Sequence, residues 1–178
     1  EEANMVWDAS FAYFMLRLVG SPRSAQGLPP AYGVEIDTDL DSRGDMLLLS
    51  TGTLTGEWSQ ESVQVWEDAN GNIGGYSAVV SDPPAGGGDG YEQLIAGADS
   101  GMTGGLAWVH QDPLVDDRIE LAMHPSLLRG IGAINWRAFS DGMFRDSFNF
   151  DPNDRFTIDE AGSADKNSPY YPLKGFFA

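Results

Sequence analysis

The sequence predicts an all-β protein, a β-sandwich of jelly-roll type with one short helical turn. Two observations carry this. Apolar residues recur at every second position along short stretches, the period of a strand with one face toward a core. Those stretches are separated by clusters of Gly, Pro, Asp and Asn, which favour turns. About eight or nine short strands at such spacing suit two stacked sheets. A chain of 178 residues has the length of one domain, read here as residues 1–178.

Taken in order, Phe11 to Leu18 is apolar on both faces, as in a central strand. Tyr32, Val34 and Ile36 alternate with Gly33, Glu35 and Asp37. Met46 to Leu49 is a short apolar run that ends at a Ser-Thr-Gly-Thr turn. Val63 and Val65 alternate with Gln64 and Trp66. Asn70-Gly71 then separates that strand from Ile73 to Val80, the strongest short hairpin signal in the chain. Residues 81–105 hold eight glycines and two prolines and read as a long loop across one end of the sandwich. Leu106, Trp108 and His110 share a strand face, as do Ile119, Leu121 and Met123, then Ile134, Trp136 and Ala138, and finally Phe156 and Ile158. Pro125 to Arg129, followed by Gly130, has the Pro-first, Gly-after form of one or two helical turns.

Composition narrows the function. Twenty-seven acidic residues face ten basic ones, a formal charge of −17, which repels phosphate backbones and excludes nucleic acid as a partner. There is no cysteine, so no disulfide and no thiolate chemistry. No run of 18 apolar residues occurs, and no membrane-inserted helix is expected. The chain opens on Glu1 rather than Met, which is read as a processed end, the edge of a fragment or the first ordered residue; removal of an export leader would fit the first of these.

The segment Asp37-Thr38-Asp39-Leu40-Asp41-Ser42-Arg43-Gly44-Asp45 is the most informative. Carboxylates at alternate positions of a tight loop converge on one cation, and calcium takes six to eight oxygens in flexible geometry. Asp37, Asp39, Asp41 and Asp45 are therefore the candidate calcium ligands. The pattern departs from an EF-hand, because Gly44 falls at loop position 8 and Leu48 at position 12. The competing reading is a solvated Asp-rich turn between two strands. Arg43-Gly44-Asp45 matches a cell-adhesion tripeptide, but three-residue matches arise readily by chance, and Gly44 is read as serving the backbone turn.

Catalytic constellations are poor. His110 and His124 are the two histidines, and neither G-x-S-x-G nor H-E-x-x-H occurs. His110 shares its face with Leu106 and Trp108, which suits a partly buried structural role. A hydrolase needs two facing carboxylates, and so acidic a chain offers pairs without meaning. Among the five tryptophans most suit the core, with Trp66 and Trp58, beside Tyr76, as candidate ligand-stacking rings.

Five segments together resemble a known family: Tyr32 to Asp41, Val63 to Asp68, Arg118 to Leu128, Asp154 to Ser163 and Tyr170 to Lys174. They resemble exported bacterial proteins related to DOMON domains and family 9 carbohydrate-binding modules. The resemblance implies a β-sandwich, an exported setting and a structural calcium after a strand that ends in an Asp-rich loop. It does not imply an enzyme. Met and His stand in no recognisable haem-ligand pattern.

The expectation is a non-catalytic extracellular calcium-binding domain with a structural or adhesive role, at a cell surface or in an assembled fibre. Its partners would be other copies of itself or a cell-surface polymer. The alternative is a carbohydrate-binding module of a secreted protein, which calls for an exposed aromatic platform.

Overall fold

The alternation in Phe11 to Leu18 builds one strand of a five-stranded sheet. A computed structural model describes residues 2–18, 31–40, 44–51, 54–71, 91–97, 104–129, 133–141, 155–157 and 174–176. Numbered in chain order, the strands of the first sheet lie as β11 (Lys174–Phe176), β1 (Glu2–Trp7), β2 (Ala12–Arg17), β8 (Arg118–Met123) and β7 (Ala107–Gln111). The second sheet runs β10 (Arg155–Thr157), β9 (Ala133–Asp141), β3 (Ala31–Asp37), β4 (Met46–Thr51), β5 (Val63–Glu67) and β6 (Gln93–Gly97). Pairing is antiparallel except between β1 and β11. The protein is thus all-β and sandwich-like. Among the described residues no helix is long and apolar enough to cross a membrane.

The core lies between the sheets. Ala12, Phe14 and Leu16 of β2 point inward, while Tyr13 and Met15 on the other face are half-buried. Ile119, Leu121 and Met123 of β8 sit opposite them in register. Val34, Ile36, Leu48, Val65, Ile134 and Trp136 close the core from the second sheet. Phe14 meets Trp136 edge-on, with ring centroids 5.4 Å apart. Edge-to-face geometry suits two aromatic quadrupoles and locks the sheets against sliding.

Four expectations change. The residue 81–105 segment is not wholly loop, because Gln93–Gly97 forms β6. Its apolar Leu94-Ile95-Ala96 centre was hidden among glycines, and Gly97 is needed there. Gly97 has φ +129°, and a Cβ would come within 2.6 Å of the Val63 carbonyl oxygen. Consequently β5 pairs with β4 on one edge and β6 on the other, in place of the expected hairpin partner Ile73 to Val80, which lies outside the described residues. Asn70-Gly71 still makes a turn, held by the Asp68 Oδ1, which accepts the Gly71 N–H at 2.8 Å. Strand β1 was not foreseen, because the apolar but exposed Val6 breaks the alternation of Ala3, Asn4 and Met5. Finally, the helical turn is a 3₁₀ turn over Pro125–Leu128, and its left-handed cap falls on Arg129 (φ 51°) instead of the following glycine.

Candidate functional site

The connection from β4 to β5 shapes the outer face of the first sheet. Ser59 and Val109 exchange two backbone hydrogen bonds of 2.9 Å, and the Gln111 N–H donates to the Thr55 oxygen at 2.8 Å. The chain takes four steps from Thr55 to Ser59 where β7 takes two, from Gln111 to Val109. The surplus bulges outward, as in any strand pairing with unequal counts. Trp58 rides on that bulge and folds over the outer face of the first sheet, where it stays 37% exposed.

Strand register sets out what lies beneath. Tyr13, Ala122 and Trp108 form one row across β2, β8 and β7. Ala122 is small, so the middle lane is low between two aromatic flanks. Phe11, Tyr13, Trp58 and Trp108 line the resulting groove, of about 270 Å³, with Ala122 in its floor. Tyr13 meets Trp58 edge-on at 6.3 Å, and Phe11 lies 5.9 Å from Tyr13. Trp108 is fixed by its indole N–H, which donates to the Gly105 oxygen at 3.2 Å. Phe11 also meets His124 edge-on at 5.8 Å, which marks one end of the groove.

Two ionisable groups border this face. The backbone N–H of Phe11 and then of Ser10 donate to the Asp8 carboxylate, and with the Tyr13 hydroxyl they hold its pKa below the usual 3.8. Burial, then the Asp8 charge and its hydrogen bond, push the Tyr13 phenol above 10.0. Tyr13 therefore presents a neutral ring across the physiological range. At the other end, His110 Nε2 lies 2.7 Å from Glu120 Oε2, and its ring stacks under Trp58 with centroids 4.0 Å apart and planes at 29°.

The acidic loop lies elsewhere, at the β3–β4 turn of the second sheet. Ligand oxygens of Asp37, Asp39 and Asp45 gather within 4.8 Å of one another. Two oxygens bound to one calcium at about 2.4 Å each lie no more than roughly 4.8 Å apart, so the spacing fits that ion. Asp41, the fourth expected ligand, lies outside the described residues. The loop also closes on its own hydrogen bonds. Asp45 Oδ2 accepts the Thr38 N–H at 2.5 Å and the Thr38 hydroxyl at 2.6 Å. Asp37 is fully buried, and accepts the Leu40 N–H at 2.7 Å and the Asn135 amide at 2.5 Å. The left-handed position is Leu40 (φ 66°), not Gly44. Gly44 serves close approach instead, since a Cβ there would fall 2.2 Å from the Tyr91 hydroxyl and 2.5 Å from Glu35 Oε1.

Of the candidate ligand-stacking rings, Trp58 enters the groove. Trp66 does not. It sits half-buried on the outer face of the second sheet beside Leu47, its indole N–H donating to Gln64 Oε1 at 3.1 Å. Tyr76 lies outside the described residues. Sequence reasoning missed Phe11, Tyr13 and Ala122, and placed Trp108 and His110 on one face without their cross-strand partners. The aromatic pair at i and i+2 in Phe11-Ala12-Tyr13 was the available signal.

No family model, curated protein or solved structure matches this chain.

Proposed function

We propose that this chain is a non-catalytic, exported binding domain that holds a neutral carbohydrate polymer in the aromatic groove of its first sheet. The groove of Phe11, Tyr13, Trp58 and Trp108 over Ala122 is the observation that carries the reading. Aromatic faces take up the C–H surface of a sugar ring, which is the contact these four rings offer. At about 270 Å³ the groove is just below the roughly 300 to 1,000 Å³ of ligand sites, and suits one sugar unit of a longer polymer. A net charge of −17 disfavours anionic polymers. The resemblance to carbohydrate-binding sandwiches supports the same class. A neutral-glycan array tests it, with binding by the wild type and its loss in Trp58→Ala as the supporting result.

A second reading concerns stability. The Asp37, Asp39 and Asp45 cluster favours one structural calcium in the β3–β4 loop. Such an ion would tie β3 to β4 and add to an extracellular, adhesive role at a cell surface.

A further inference from the structure

The residue beneath Trp58 has a part in the groove that its burial alone does not require. We propose that His110 is the positioning residue of the groove: it fixes the plane of Trp58, and through it the affinity for ligand. The consequence for affinity rests on the reading that the groove binds sugar, whereas the orientation of Trp58 does not.

The imidazole faces an oxygen acceptor on each side. Its Nδ1 lies 3.3 Å from the Gly56 carbonyl oxygen, on the same bulge that carries Trp58. Its Nε2 lies 2.7 Å from Glu120 Oε2 on the neighbouring strand β8. Glu120 is itself braced, since its Oε1 lies 3.3 Å from Arg118 Nε and Arg118 pairs in turn with Asp112. Both facing atoms are acceptors, so a neutral ring donates its one N–H to only one of them, and the shorter contact, to Glu120, is the one that orients it. Trp58 lies on it at 4.0 Å and 29°, with Tyr13 edge-on as its second aromatic neighbour.

A tryptophan on a surface bulge, 37% exposed, otherwise has several rotamers open to it. Stacking on a fixed ring removes that freedom before a ligand arrives. Immobilising one such side chain costs about 0.5–1.5 kcal/mol on binding, so pre-orienting it is worth about two- to twelvefold in affinity. A purely structural histidine would act on stability alone and leave the behaviour of Trp58 unchanged.

The test reads Trp58 directly, as the difference in emission between the wild type and Trp58→Phe. His110→Ala is expected to shift that emission to the red and to raise its quenching by acrylamide. His110→Phe, which restores a ring to stack on, is expected to return both toward wild type. Glu120→Ala, which loosens the imidazole without deleting it, is expected to move emission the same way by less. With cellohexaose and chitohexaose as probes, His110→Ala is expected to weaken binding by about two- to twelvefold, and in the Trp58→Phe background to add little. Unchanged Trp58 emission in a folded His110→Ala protein overturns the proposal. So does an equal loss of affinity in both backgrounds. If neither sugar binds the wild type, the sugar reading fails, and the emission series alone decides the positioning role.

Discussion

Trp58 stacks on His110 with ring centroids 4.0 Å apart, although Trp58 belongs to a connection of one sheet and His110 to a strand of the other. Trp58 lies between β4 and β5 of the second sheet, and His110 lies on β7 of the first. The backbone bonds of Thr55 and Ser59 beside it cover the β7 edge, which would otherwise be open to pairing, and Trp58 adds a wall to the groove on the first sheet.

The floor of the groove makes the first prediction. Ala122 points away from the core, between Tyr13 and Trp108. Ala122→Leu fills the lane without disturbing the core packing of Leu121 and Met123 on the opposite face. Glycan binding should be lost, while the circular dichroism spectrum is retained and the melting temperature moves by no more than about 4 °C, the effect of roughly 1 kcal/mol.

The core predicts the reverse pattern. Phe14 and Trp136 are each fully buried and touch edge-to-face. Phe14→Ala and Trp136→Ala should each cost about 3–5 kcal/mol in urea denaturation. The double variant should cost less than the sum, because each single change already breaks the shared contact.

Calcium removal tests the acidic loop. A ligand at a hundred times its dissociation constant stabilises by about 2.7 kcal/mol. For a chain of this length that is about 5–11 °C in melting temperature. Chelation should lower the melting temperature by that order, and Asp39→Ala should abolish the difference. Magnesium should restore little, because its stricter octahedral shell suits a flexible loop poorly. An unchanged melting curve would leave the Asp45 and Asp37 hydrogen bonds as the whole explanation of the loop.

Titration tests the groove rim. Burial is the first cause of the raised Tyr13 pKa and the Asp8 charge the second. Asp8→Asn should thus bring the Tyr13 transition down toward 10.0 without reaching it, as read from tyrosinate absorbance against Tyr13→Phe. The sign for stability follows. A phenol whose folded pKa is raised stabilises below its unfolded value of 10.0, and that stability is lost as pH rises through the folded one. Asp8, whose pKa is lowered, contributes above 3.8 and loses its contribution as pH falls through the depressed value.

Strands were legible in sequence where an apolar face alternates with a polar one, or where a short run is apolar on both faces, as in β2 and β4. Ile119, Leu121 and Met123 alternate with Arg118 and Glu120, and the structure pairs them as read. Strand β6 was illegible because glycines surround it, although Gly97 is there for a close approach to Val63. Strand β1 was illegible because Val6, apolar on the outer face, breaks its pattern. The acidic loop could be read because its donors are close in sequence. The groove could not, since Tyr13, Trp58, Trp108 and Ala122 come from four separate segments joined by strand register and one bulge. Of those four, Trp58 was named from sequence, while Trp66, its expected companion, turned to the other sheet.

The central claim is that the Trp58 groove binds a neutral sugar polymer, and isothermal titration of wild type and Trp58→Ala with cellohexaose and chitohexaose tests it most directly. The account predicts saturable binding of at least one by the wild type and at least about a tenfold weaker constant in a folded Trp58→Ala, a difference of roughly 1.4 kcal/mol. Equal affinity in the two proteins, or no binding of either sugar by the wild type, would contradict it.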